Sequence, residues 1–312
     1  LDPADGSASG TLGGIGLRVE GDFTNSGTVS AQGGYNNGGN GLGVHGTFHN
    51  HGIVHAQGGT LSNRPGVGAK VFINRGTVYG QGGTTETYGG AIANHGLSTS
   101  AFSNHGLAAF RGGTRSEWTF INEGNDAYVG FGLFSQGTAR NHGDLALFSG
   151  PQAYAVGIYP GMSTSTFVLA SGSRLLAGPG QYAGINAHAG GGEAQNVAIE
   201  DGARFQSLAT GGLAPGQSYT HRLVVKANQV SGDFAPHDGP VLSYAFAQSG
   251  ASPDVEYTAT VTRKAHASDF AAGHGALLAS GLERAFAESE PGMDNLHWAM
   301  LLADLEHQPD AA

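Results

Sequence analysis

Histidine is the residue type this sequence uses most unusually. There are 14, as many as the lysines and arginines together. His45, His49, His51 and His55 share one parity, so on an extended chain they project to one side. His51, His95, His105 and His142 each fill the middle of an Asn-His-Gly tripeptide. A row of neutral imidazoles is the chemistry of a zinc or copper site, which makes His45, His49, His51 and His55 the metal candidates. Two observations weigh against a metal. Ser26, Arg75 and Glu123 occupy the same middle position in other copies of the tripeptide, so the position accepts any polar residue. No carboxylate is spaced to orient the ring nitrogens. The expectation is a solvated histidine face without metal or cofactor, one that gains charge near pH 6.

Acid chemistry is equally thin. Residues 1–162 hold Asp2, Asp5, Glu20, Asp22, Glu86, Glu117, Glu123, Asp126 and Asp144. Glu117, Glu123 and Asp126 are the one group close enough to supply the paired carboxylates of a glycosidase, and solvated turn residues are the better explanation of them. There is no cysteine, hence no thiol nucleophile and no disulfide framework. Gly41-Leu-Gly43-Val-His-Gly46 fits a dinucleotide fingerprint in letters, but no βαβ pattern surrounds it. We therefore expect no enzyme. The net charge of −10 gives no basic footprint, so no nucleic-acid partner is expected.

The elements that must position these side chains come from a repeat. Phe23-Thr-Asn25-Ser-Gly27-Thr-Val29-Ser-Ala31-Gln-Gly33 recurs from Phe48 through Asn50 to Gly58, and from Phe72 through Asn74 to Gly82. Weaker copies carry Asn94, Asn104, Asn122 and Asn141. Shared residues fall at every second position, which is strand period. Units of 20–25 residues with short strands and Gly/Asn corners are what stacked solenoid rungs need. Stacking makes columns of Phe23, Phe48 and Phe72, and lets Asn25, Asn50 and Asn74 bond amide to amide. The glycine two residues after each Asn fits a corner that needs positive φ or has no room for a Cβ. From about Ser163 the unit changes: Phe167–Leu175 matches Val197–Phe205, a strand, a glycine turn and a second strand. The fold expected is all-β, a right-handed parallel β-helix over 1–212 with roughly eight to ten rungs. The 55 glycines and only 12% charged residues agree with that and disfavour a helix-rich fold.

The open strand edge of a solenoid has to be covered. Residues 213–265 hold strands around Tyr219–Val225, Val241–Phe246 and Val255–Val261, with prolines in the gaps. Residues 266–312 shift to Ala and Leu with two helical stripes, broken at Pro291-Gly292. Leu213-Ala-Pro-Gly216, Ser231-Gly-Asp-Phe234, Leu242-Ser-Tyr244 and a Tyr/Val strand ending at Arg263, followed by two helices, resemble the passenger–translocator junction of bacterial autotransporters with a pertactin-like passenger. The resemblance covers residues 163–312 by motif order and the rest by architecture.

It implies a type V secreted protein exported through the periplasm to the outer membrane surface. Residues 213–265 would act as an autochaperone in which Phe234 and Tyr244 seed folding. Residues 266–312 would link to a translocator barrel absent from this chain. The function implied is adhesin-like binding of host or bacterial surfaces, with lateral self-association as a further mode. The alternatives are a β-helix polysaccharide-degrading enzyme and a stalk for an upstream domain. Contacts are expected at the loops Gln32–Val44, Gly58–Gly68, Gly82–Gly90 and Gly178–Gly192, which interrupt the rungs.

Overall fold

The computed structural model describes residues 14–34, 39–59, 66–83, 97–111, 133–135, 137–148, 156–158, 166–177, 185–186, 196–208, 212–251, 254–288 and 293–307. The chain is a parallel β-helix whose coil has three faces. The second coil is typical. Leu42–Asn50 forms the first two faces in one strand, bent where the register shifts between Val44 and Thr47, and Ile53–Gln57 forms the third. Val67–Asn74 with Thr77–Gln81, and Leu97–Asn104 with Leu107–Arg111, repeat that arrangement. Later coils split the first strand in two, as in Leu133–Ser135 and Ala139–Asn141. The third face is a seven-stranded parallel sheet, one strand per rung. Against the expected eight to ten rungs, the described residues show seven complete ones. The units are longer than the first repeats suggest, with neighbouring corner asparagines 30 and 37 residues apart in the middle of the chain.

Equivalent residues stack in register, which is why the repeat has to be periodic. Phe23, Phe48, Phe72 and Phe102 form one inward column, with ring centroids 5.2, 4.8 and 5.9 Å apart. Phe48 and Phe72 are fully buried, each contributing roughly 2–3 kcal/mol of apolar burial. Val54, Val78, Ala108, Leu145, Leu175 and Phe205 line the inside of the third face.

Asn25, Asn50, Asn74, Asn104 and Asn141 are buried at the corner after the second face. Each Nδ2 donates to the Oδ1 of the next, at 2.7–2.8 Å. It also donates to the carbonyl two residues on and to a carbonyl of the next rung, as Asn50 does to Gly52 and Thr77. The amide is saturated, so burial carries no desolvation penalty. The ladder passes directly from Asn74 to Asn104 and from Asn104 to Asn141, leaving no rung between them. Asn94 and Asn122 lie outside the described residues. The corner glycine is there for lack of room: a Cβ on Gly76 would lie 2.1 Å from the Gly52 carbonyl oxygen of the rung below.

After Asn141 the same register position is filled by Leu169 and then Ile199. The corner becomes a tight turn, closed locally by Ser173 N–H to Ala170 C=O at 3.0 Å. Gly172 sits there at φ 74° with open space where its Cβ would be. Glycine is needed here for its backbone conformation alone.

The parallel stack ends when Ser218–Lys226, which joins the first face through Val225 and Lys226, pairs antiparallel with Asp254–Arg263. That strand in turn pairs antiparallel with Leu242–Ala251. Phe234 is buried beneath this cover, its ring 5.8–6.0 Å from those of Phe205, Phe246 and Tyr257. Tyr244 is buried too, and its hydroxyl accepts the Ser207 N–H at 3.2 Å. Helices α1 (His274–Glu288) and α2 (Leu296–His307) then fold back onto the outside of the third face. Ala279, Leu282, Phe286, Leu296, Ala299 and Leu302 pack against Tyr79, Ala109, Ala146, Leu176 and Leu208. The buried Arg263 at the end of the last strand ties both helices down, pairing with Glu283 of α1 and, at 3.2 Å, with Glu306 of α2.

Candidate functional site

The outer side of the third face changes character along its length. Reading one outward column from rung to rung gives Ser30, His55, Tyr79, Ala109, Ala146 and Leu176. The apolar end of that column lies under α1 and α2. The polar end is open and forms a groove of about 800 Å³. Its floor is Ser30, Gln32, Ile53, His55, Gln57, Thr77, Tyr79 and Gln81, and Asp294 and His297 close one side from the start of α2.

Three features give the groove its chemistry. Gln32, Gln57 and Gln81 stand in register on adjacent strands, each with one carbonyl oxygen and two N–H donors. The His55 ring stacks on Tyr79 with centroids 4.9 Å apart and planes 12° from parallel. Tyr79 also meets His297 edge-on and hydrogen-bonds it through its hydroxyl, which fixes where the helix layer stops. Burial raises the Tyr79 hydroxyl pKa, so it stays protonated and can donate. Among the described residues the groove lining contains no lysine or arginine and one carboxylate, Asp294. Nearby, Asp144 is held by Arg174 through bonds of 2.6 and 2.8 Å, and Arg174 also binds Asp304 of α2. That group clamps the helix and, among the described residues, leaves no paired free carboxylates there.

The four histidines of the second rung do not converge. His45 lies at the strand bend, 3.2 Å from Glu20. His49 is on the second face, His51 is exposed at the corner and His55 is on the third face. The rung turns twice between His45 and His55, so equal parity does not keep them on one side. No group of three metal-ligating side chains occurs among the described residues. His105 and His142 do stack, with centroids 4.6 Å apart, because Asn104 and Asn141 bring their corners into contact. Burial, then His105, then Arg140 lower the His142 pKa.

Glu117, Glu123 and Asp126 lie outside the described residues, as do 35–38, 60–65, 84–90, 178–184 and 187–192 of the loops expected to make contacts. Sequence reasoning passed over the glutamines. Their signal was present: the outward residue before the closing glycine is Gln in all three strong repeats, Gln32, Gln57 and Gln81, while the other outward positions vary. No protein-family model, no curated protein and no solved structure matches this chain.

Proposed function

We propose that this chain is a non-catalytic binding protein of a bacterial surface, an adhesin-like autotransporter passenger that is displayed or secreted after export through the periplasm. The observation that carries this reading is the open groove on the third face. It offers hydrogen-bonding amides, an imidazole and an aromatic ring with a single carboxylate, which is equipment for holding a ligand and not for cleaving one. The cysteine-free sequence suits a chain that stays unfolded until it has left an oxidising compartment. In this reading residues 213–265, with Phe234 and Tyr244 in their core, are the folding seed from which rungs add toward the N-terminus. Partners are proteins or glycans of host or neighbouring cells.

The test is adherence of the purified chain to epithelial cells, extracellular matrix and bacterial cells, run beside reducing-sugar release from a polysaccharide panel. Saturable adherence without sugar release is expected. Release of reducing ends, or adherence to none of the surfaces, overturns the reading.

A further inference from the structure

We propose that the groove over the first three rungs binds an uncharged, hydroxyl-rich glycan chain. This assigns a site and a ligand class to the surface-binding reading and rests on it. The polarity of the outer face supports a built site over a leftover gap. The helix layer covers Ala109, Ala146 and Leu176, which need covering, and stops at Tyr79, whose hydroxyl bonds His297. Beyond that stop the same column carries Ser30 and His55, flanked by glutamines.

Three kinds of group recognise a sugar chain there. The carboxamides of Gln32, Gln57 and Gln81 each donate and accept, as sugar hydroxyls do, and they repeat at the strand spacing of about 4.8 Å. Such a row suits a ligand that is itself repetitive. His55 has one ring face on Tyr79, while its register partner on the other side is only Ser30. That second face is left for the apolar C–H side of a pyranose, and Ile53, 43% exposed, extends the apolar strip. The charge inventory selects against acidic chains. Phosphate, sulfate and uronate groups call for arginine or lysine, and the described residues that line the groove include neither. The volume of about 800 Å³ is within the range of sites that enclose several sugar-sized units.

The test is calorimetric titration of the intact chain with cellohexaose, mannohexaose and N-acetylchitohexaose, beside a heparin hexasaccharide and hexagalacturonate. At least one neutral hexasaccharide should bind and both acidic ones should not. His55→Ala and Gln57→Ala should each weaken that binding about tenfold or more, while His105→Ala, on another part of the rung surface, leaves it unchanged. His55 and Gln57 are exposed, so both variants should keep the wild-type melting temperature. Failure of all three neutral probes, tighter binding of heparin, or equal affinity of the variants overturns the assignment. Cell adherence of the same proteins separates it from the broader reading. If the wild type and both variants adhere alike, the groove is wrong and the surface function stands. If the hexasaccharide binds in the groove and the wild type adheres to no cell, the groove stands and the surface function falls.

Discussion

From Phe23 to Phe148 the corner after the second face is Asn-x-Gly, and from Phe167 to Ser207 it is a turn around Gly172 or Gly202. Both bury the same register column, Asn141 standing directly on Leu169. The first kind satisfies its polar groups through the neighbouring rung, as Asn50 does with Asn74 and Thr77. The second closes on itself through Ser173 to Ala170 and Ala203 to Glu200. An asparagine corner therefore leans on the next rung to satisfy its side-chain amide, whereas a glycine turn has no buried amide to satisfy and adds only backbone bonds such as Gly172 N–H to Gly202 C=O. That order suits a solenoid built outward from its C-terminal cover: self-closing rungs first, then rungs that need a template.

The sharpest way to break this comparison is at the glycines. Gly76→Ala places a Cβ against the Gly52 carbonyl and should cost about 4 kcal/mol or more, enough to abolish cooperative unfolding of the N-terminal rungs. Gly172→Ala meets no atom and should cost only the left-handed backbone penalty of about 1–2 kcal/mol. Gly27→Ala, in the first rung with open space beside it, should change stability by under about 0.5 kcal/mol. Urea unfolding of the three variants checks the ranking, and equal losses at Gly76 and Gly172 would remove the distinction.

Next in size are the rings. Phe234→Ala, beneath the cover, should cost about 3–5 kcal/mol and slow refolding, while Phe23→Ala, half-buried at the first rung, should cost less and chiefly speed unfolding. Stopped-flow kinetics separates the two, and an equal slowing of refolding by both would argue against a C-terminal seed.

A pH test sharpens the contrast between cover and ladder. His221 is buried in the cover, its Nε2 2.7 Å from the Ser207 hydroxyl, and burial lowers its pKa to about 4. The unfolded chain takes up that proton near pH 6.5, so His221 contributes stability above pH 6.5 that is lost as pH falls toward 4. The loss should amount to about 3 kcal/mol between pH 7 and 4, and His221→Gln should flatten that part of the profile. The ladder amides do not titrate in this range.

A smaller effect than at the rings is expected within the ladder. Asn74→Leu leaves the Asn50 donor and the Asn104 acceptor without their partners and should cost about 2–3 kcal/mol. Asn141→Leu, at the end where Leu169 already follows, breaks one amide-to-amide bond instead of two, along with the Asn141 bonds to the Gly143 and Arg174 carbonyls, and should cost less, about 1–2 kcal/mol. Thermal melts compare the two.

Much of the solenoid could be read from the chain because a stacked rung writes the same residues at the same parity: Phe23, Phe48 and Phe72 had to be one column, and Asn25, Asn50 and Asn74 one ladder. Two things could not be read. Spacing showed that the 10 residues from Asn94 to Asn104 are too few for a full unit but not which asparagine belongs to the ladder, and it did not separate Asn122 from Asn141. Parity also carries no record of bends, so His45, His49, His51 and His55 looked coplanar although the rung turns between them. The groove was hidden for a different reason. It is bounded by His297 and Asp294, more than two hundred residues from Gln57, and only the fold-back of α2 brings them together. A quarter of that lining was visible as a glutamine repeated in three copies.

The ladder also has a mechanical meaning. Tension applied at the N-terminal end loads one rung at a time, because each asparagine is bonded to its neighbours alone. A rung that lets go frees the 25, 24, 30 or 37 residues between successive asparagines. At about 3.6 Å per residue these are tether extensions of about 90, 85, 110 and 130 Å, two shorter steps at the first rungs and two longer ones further in. Under such a load the chain would pay out slack in those steps, and the turns beyond Leu169 would be the last to yield.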